Sequence, residues 1–215
     1  MEKKLNDIKR YLRDIKFSII FGEGQITLKN DLEEFNGKVP FFFGKSHQKK
    51  RNKYIEQMKE LDGVLTGSAA LCMYRINGVR IFKRNPNDLD FMVSRDNFMK
   101  FCGMNNFTNV KYTNQVVSLD FYTGKNRGED SYGCHRGYRF YTDFDVIGTD
   151  EEVDYEVVGD LKVAKLMDII NYKLHLIEKY MKDLTNRDAE IESKKHIHDL
   201  FMIVTTIAAN ESKTA

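Results

Sequence analysis

What the chain lacks narrows it first. Its three cysteines, Cys72, Cys102 and Cys134, stand about thirty residues apart with no CxxC pair. That spacing supplies neither a disulfide framework nor a zinc site, and a reduced cytoplasmic setting is the expectation. No apolar run approaches the ~20 residues that span a bilayer, so no membrane partner is expected. The opening MEKKLNDIKR has charges where a secretory signal has its apolar core. An excess of one charge is missing too, since 34 Lys and Arg against 32 Asp and Glu leave a net +2. This balance excludes a histone-like nucleic-acid coat while permitting a local basic groove. What remains, 215 residues of which 41% are hydrophobic and 31% charged, is enough to bury the core of one domain or one and a half.

The stretch from Val64 to Val93 organises the rest. It reads as a strand, a Gly67-Ser68 turn, a helix, a polar loop from Asn77 to Asn87, and a second strand carrying Asp88 and Asp90. Strand side chains alternate, so Asp88 and Asp90 share one face while Leu89 and Phe91 take the other. Two adjacent carboxylates repel each other, and the natural occupant between them is a hard cation such as Mg²⁺ bridging to phosphates. Gly67 allows close backbone approach, and the N–H groups of Ser68, Ala69 and Ala70 offer a site for an anion such as a triphosphate.

The pattern apolar-Gly67-Ser68, helix, then Arg84-x-x-x-Asp88-Leu89-Asp90-Phe91 resembles the nucleotidyltransferase superfamily typified by DNA polymerase β. In particular it is similar to the small abortive-infection and phage-borne members, some of them toxin–antitoxin proteins. The resemblance implies an α/β (α+β) fold, a nucleotidyltransferase-like mixed β-sheet flanked by helices. It also implies transfer of a nucleoside monophosphate from an NTP such as ATP to an acceptor hydroxyl, with Mg²⁺ or Mn²⁺. Nineteen residues (69 to 87) separate Ser68 from Asp88, somewhat more than that family usually allows, so Asn77 to Asn87 reads as an insertion.

Toward the N-terminus, Leu5, Ile8, Leu12 and Ile15 predict an amphipathic helix over 2–16. The apolar runs around Gly22-Glu23-Gly24, from Phe17 to Leu28, predict a hairpin. Gly44-Lys45-Ser46 invites a P-loop reading that fails, because Val39 stands where the motif needs glycine. Tyr54, Ile55, Met58 and Leu61 predict a helix from Ser46, its cap, to Leu61. Lys49, Lys50, Arg51 and Lys53 on it form either a solvated face or a site for the phosphates of a nucleic-acid acceptor.

Beyond the core, Arg95 to Phe101 predicts a short helix, and Val110 to Thr113 and Val116 to Tyr122 predict strands. Asp120 sits mid-strand opposite Val117, Leu119 and Phe121, where an acid is costly unless paired. It is the candidate third metal ligand and the base for the acceptor hydroxyl. Asp143-Phe144-Asp145 repeats the Asp-x-Asp spacing without a preceding Gly-Ser turn, and reads as a solvated loop or edge strand. Gly124 to Gly137 reads as a mobile loop from which Lys125 or Arg127 would reach a phosphate. Cys134-His135 alone is too little for zinc.

From Leu161 onward two apolar stripes predict a helical hairpin over 161–182 and 192–208. Lys173 falls on or beside the first stripe, as a snorkelling lysine or as a cation reaching for the β- or γ-phosphate. The resemblance favours the second role, since related enzymes carry a lysine there and a Lys-Asp motif on the next helix, similar to Lys195-His196-Ile197-His198-Asp199. The i, i+4 spacing of Lys195 and Asp199 equally allows them to pair with each other, and the two histidines diverge by about 200° and cannot share a metal.

The whole then reads as an N-terminal helix, hairpin and basic helix (1–59), a catalytic domain (60–158) and a C-terminal helical region (159–215). The expected enzyme has Asp88, Asp90 and Asp120 as catalytic metal ligands, with Gly67, Ser68, Arg84 and Lys173 on the nucleotide. Arg84 either neutralises nearby charge or holds the loop. NTP is the expected small partner, and tRNA or another nucleic acid, a protein or a small molecule the acceptor. A protein that keeps the fold without the chemistry, and binds nucleic acid or a partner, is the alternative.

Overall fold

Residues 2–21, 26–32, 45–86, 88–105, 116–120, 125–127, 144–182 and 187–211 are described by the computed structural model. The fold is mixed α/β, and among the described residues it has six helices and two sheets. None of those helices is long and apolar enough to cross a membrane. Two compact units share the chain, and both are discontinuous in sequence. One takes Met1–Lys29, Leu71–Arg84 and Leu166–Ala215, the other Asn30–Ala70 and Asn85–Lys165.

The second unit holds a seven-stranded sheet. Its strands are β2 (Val64–Thr66), β5 (Leu89–Ser94), β6 (Val116–Asp120), β7 (Lys125–Arg127), β8 (Phe144–Thr149), β9 (Tyr155–Val158) and β10 (Leu161–Ala164). They lie in the order β7-β6-β8-β5-β2-β10-β9. β5 runs parallel to β8 and β2 parallel to β10, and the remaining pairs are antiparallel, so the sheet is mixed. On β5 burial alternates, with Leu89, Phe91 and Val93 inside, as period two requires of a strand covered on one face. Phe91 stacks on Phe144 of β8 at 5.3 Å between ring centres, a contact worth roughly 0.5–1.5 kcal/mol beyond burial. Helices α2 (Lys45–Glu60) and α4 (Arg95–Met104) reach this apolar side, with Tyr54 meeting both Phe101 and Phe144 at 5.7 Å. Ser94 ends β5 and caps α4 by accepting from Asn97 N at 3.3 Å. Ser46, expected as a cap, lies inside α2.

The first unit pairs a small sheet with three helices. Helix α1 runs Glu2–Phe21, so residues 17–21 continue it and the expected hairpin is corrected to a helix followed by β1 (Ile26–Leu28). A short apolar run does not distinguish helix from strand, and extending a formed helix costs less than starting a new element. The polar insertion is resolved differently from expectation. β3 (Tyr74–Ile76) and β4 (Val79–Arg80) form a hairpin on Asn77 and Gly78, whose φ values of 49° and 76° suit the twist of a two-residue turn. β1 pairs with β3, completing the three-stranded sheet.

The C-terminal pair, α5 (Leu166–Met181) and α6 (Arg187–Glu211), pack on each other. Leu161–Ala164, expected as the start of the first of these helices, is strand β10. Four apolar or stem-bearing residues before a helical stripe fit either element, and the sheet position decides. The second helix is longer than the expected 192–208, and Phe201 on its stripe is 56% exposed. The expected strand at 110–113 and the Cys134-His135 pair lie outside the described residues. Within the expected loop at 124–137, Lys125–Arg127 is strand β7 against β6, and the rest likewise lies outside.

Candidate functional site

A row of polar positions crosses the middle of the seven-stranded sheet. In register, Thr66 of β2 pairs with Asp90 of β5, Asp90 with Asp145 of β8, and Asp145 with Ser118 of β6. Residues directly opposite on neighbouring strands point to the same side, so Asp90 and Asp145 stand next to each other on the face away from the Phe91–Phe144 stack. Asp88, two residues before Asp90, joins them. One oxygen from each of Asp88, Asp90 and Asp145 lies within 4.8 Å of the other two. Asp145 is 8% exposed and the other two are half-buried.

Beside this cluster the chain leaves β2 through α3 (Gly67–Leu71), entered at Gly67 with φ of +63°. That conformation costs an L-residue about 1–2 kcal/mol and a glycine nothing. The second reason for glycine is space, because an added Cβ would stand 1.9 Å from Asp90 Oδ2 and 2.9 Å from its Cγ. The turn therefore presses main chain directly against the carboxylate. Ser68 follows, buried at 7% exposure. The helix is only five residues long, so what it offers an anion is its first N–H groups rather than a long macrodipole.

Electrostatics make the cluster demanding. Two ionised carboxylates at 4.8 Å repel by on the order of 3 kcal/mol at an effective dielectric near 20. Three hard oxygen donors at this spacing are a set that could hold a metal ion.

No family model, curated protein or solved structure matches the chain. The reading of the site therefore rests on its own geometry.

The residues expected from sequence fall into three groups. Asp88, Asp90, Gly67 and Ser68 come together as described. Asp120 closes β6, with its backbone opposite Lys125, and its side chain lies outside the described residues. Among the described residues the third carboxylate is Asp145, from the Asp143-Phe144-Asp145 run expected to be a solvated loop or edge strand. That expectation is overturned, because β8 lies inside the sheet between β6 and β5. The signal was its repeat of the Asp-x-Asp spacing, and the missing Gly-Ser turn was irrelevant, since β8 shares the turn before β5.

Arg84 and Lys173 form the third group, within the other unit. Lys173 Nζ donates to Asp199 Oδ2 at 3.0 Å, and Arg84 donates to the same carboxylate through Nη2 at 3.1 Å and Nε at 3.3 Å. Lys173 is 4% exposed and Asp199 1%, so the ammonium is fully buried instead of snorkelling or reaching into solvent. Burial pushes the Asp199 carboxyl up, but Lys173 and Arg84 outweigh it and hold it below the usual carboxylate range. His196 stacks against Tyr180, nearly parallel at 6.2 Å, and burial, with Lys173 and Lys195 nearby, drives its imidazole down to about 3. Lys195 pairs with Glu192 at 3.2 Å, not with Asp199 as the i, i+4 spacing allowed.

The basic helix is less uniform than its sequence. Lys49 is exposed, Arg51 is 6% exposed, and Lys53 donates to Asn105 Oδ1 at 3.0 Å. Arg51 therefore turns away from the exposed face, which Lys49 and Lys53, four residues apart, share.

Proposed function

We propose that the protein is a metal-dependent nucleotidyltransferase, moving a nucleoside monophosphate from an NTP to an acceptor hydroxyl as the bond between the α-phosphorus and the bridging oxygen breaks and pyrophosphate leaves. The observation that carries this reading is the meeting of Asp88, Asp90 and Asp145 beside a glycine turn that touches Asp90. The mixed sheet flanked by helices and the Gly67-Ser68 to Asp88-x-Asp90 order, similar to the polymerase β-like fold, support it. The hairpin at Asn77-Gly78 accounts for the long spacing between the two motifs without disturbing either.

Asp88, Asp90 and Asp145 would hold Mg²⁺ or Mn²⁺, since all-carboxylate sets suit hard cations. Such an ion, when bound, offsets the charge of a triphosphate and orients its α-phosphorus for in-line displacement. In this reading the phosphate oxygens are met by main-chain N–H groups of the Gly67-Ser68 turn and by the Ser68 hydroxyl. Asp120 stays the proposed base for the acceptor hydroxyl. Lys173 and Arg84, both held by Asp199, leave phosphate binding to the Gly67-Ser68 turn. The acceptor is a nucleic acid, a protein or a small molecule.

Thermal unfolding tests the nucleotide part of this reading. NTP with Mg²⁺ should raise Tm of the wild type, by an increment set by ligand concentration over Kd. The increment should vanish in Asp90→Asn, and a wild type indifferent to all four NTPs with Mg²⁺ contradicts the reading.

A further inference from the structure

Helices α1 and α6 pack on each other within the first unit and leave a cleft of about 280 Å³ between them. From α1 it is lined by Lys4, Asp7, Ile8 and Tyr11, and from α6 by residues 201, 204, 205 and 208. Both sets follow i, i+3, i+4 and i+7, which is one face of a helix over two turns, about 10 Å long. Ile8 and Val204 are buried at the floor of the cleft, while Tyr11 and Phe201 border it, 48% and 56% exposed.

The α6 side of this cleft does not have the composition of a face turned to water. From Leu200 to Asn210 the helix has no charged residue, and Phe201, Thr205 and Ala209 are exposed there. A helix face that meets only solvent carries charged and polar side chains. Phe201 belongs by spacing to the stripe of Ile197, Leu200, Val204 and Ile207, and those four are buried while it is left outside. Two polar groups of the cleft are already engaged. The Asp7 carboxylate accepts from Arg10 Nη2 at 3.4 Å, and the Thr205 hydroxyl donates to the Phe201 and Met202 carbonyls at 2.8 and 3.1 Å. Lys4 is exposed, and its ammonium has no carboxylate partner among the described residues.

We infer that this cleft receives an amphipathic helix of a partner protein, with acidic residues beside its apolar stripe. Shape selects a helix, because two helix faces with the same i, i+3, i+4, i+7 repeat leave holes at the repeat of a third. Apolar side chains of the partner enter between Tyr11 and Phe201 and cover Ile8, Val204 and Ala208. Charge selects an acidic helix, because the uncommitted charge in the cleft is the Lys4 ammonium, and a carboxylate on the partner meets it. The two helices that border the cleft supply no such carboxylate in a second copy. α6 has none from 200 to 210, and the one described acid of α1, Asp7, is held by Arg10. The inference does not depend on the proposed chemistry.

The probe is a fluorescein-labelled peptide of about 18 residues, long enough to form a helix alone, with leucine at i, i+3, i+4 and i+7 and glutamate at the flanking positions. Its anisotropy is followed against the full chain. Controls are the same peptide with lysine for glutamate, and the glutamate peptide with a central proline that breaks the helix. Wild type should bind the glutamate peptide at least tenfold more tightly than either control. Phe201→Ser, at an exposed position, should lose at least tenfold with Tm nearly unchanged, and Lys4→Glu should narrow the preference for glutamate over lysine at least threefold. Should Phe201→Ser unfold, Thr205→Glu carries the test, since it puts bulk and like charge into the cleft from an exposed position, and it should lose binding to the same degree. No binding by wild type, equal affinity for the proline or the lysine peptide, or a folded Phe201→Ser or Thr205→Glu that binds as wild type does overturns the inference. So does a concentration-dependent wild-type dimer that Phe201→Ser abolishes, which makes the occupant a second copy.

Discussion

Gly67 and Asp90 compete for the same space, with Asp90 Oδ2 lying 1.9 Å from the point where a Cβ on residue 67 would stand. A single methyl group therefore displaces the carboxylate at the centre of the acidic row, while the left-handed backbone at 67 adds its own cost. Gly67→Ala should fold with a loss of about 1–2 kcal/mol from the backbone alone. It should also lose the Tm increment given by NTP with Mg²⁺. Urea unfolding and thermal shift check the two halves, and a variant that keeps the full increment contradicts the tight approach.

Charge relief and function should part company at Asp145. Neutralising one of three clustered carboxylates removes repulsion, so Asp145→Asn in EDTA should be as stable as wild type or more so, by on the order of 1 kcal/mol. Calorimetric titration with Mn²⁺ should show binding to wild type and at least tenfold weaker binding to the variant. A variant that binds Mn²⁺ normally removes Asp145 from the metal set.

Lys173 belongs to the helical core by its burial and by its bond to Asp199. Asp199→Ala strands two buried or half-buried cations, and the loss of one partner from a buried pair costs about 3–5 kcal/mol. Lys173→Met leaves Asp199 with Arg84 and should cost less. Neither should change the Tm increment from NTP with Mg²⁺ in the fraction that folds. An increment abolished in Lys173→Met would return the lysine to the phosphates.

Acid sensitivity should divide between two groups. The His196 imidazole, near 3 when folded because of burial and the neighbouring lysines, takes up a proton near 6.5 when unfolded. The unfolded state thus binds more protons between those values, so this contribution is present above about pH 6.5 and is lost on acidification, by up to about 1.4 kcal/mol per pH unit. The Asp199 carboxyl, depressed in the fold, is a stabilising contribution present above roughly pH 4 and lost as pH falls through its lower folded value. Urea unfolding between pH 7 and 4.5 should show a clear slope in wild type and a flatter one in His196→Gln. An unchanged slope places the acid sensitivity elsewhere.

Much of this was legible in the residues. The Val64–Thr66 strand, the Gly67-Ser68 turn, the face shared by Asp88 and Asp90, the α4 helix and the C-terminal helical pair all follow local periodicity, which a single sequence carries. Asn77-Gly78 is a hairpin signal in its own right, but the strands it joins, of three and two residues, are too short for alternation to mark them within a polar loop. Asp145 is hidden in the sequence for a different reason. Its role comes from the parallel pairing of β8 with β5, more than fifty residues apart in sequence, and no local pattern reports which strand becomes a neighbour. The same holds for Lys173, whose partner Asp199 lies on the next helix and whose second neighbour, Arg84, arrives from far upstream.

The central claim is tested most directly by following label from α-phosphate-labelled NTPs, in Mg²⁺, into bulk RNA and lysate protein. Wild type should transfer label and the folded Asp145→Asn variant should transfer none. Transfer at the wild-type rate by Asp145→Asn, or a wild type that transfers nothing and binds no NTP, contradicts the account.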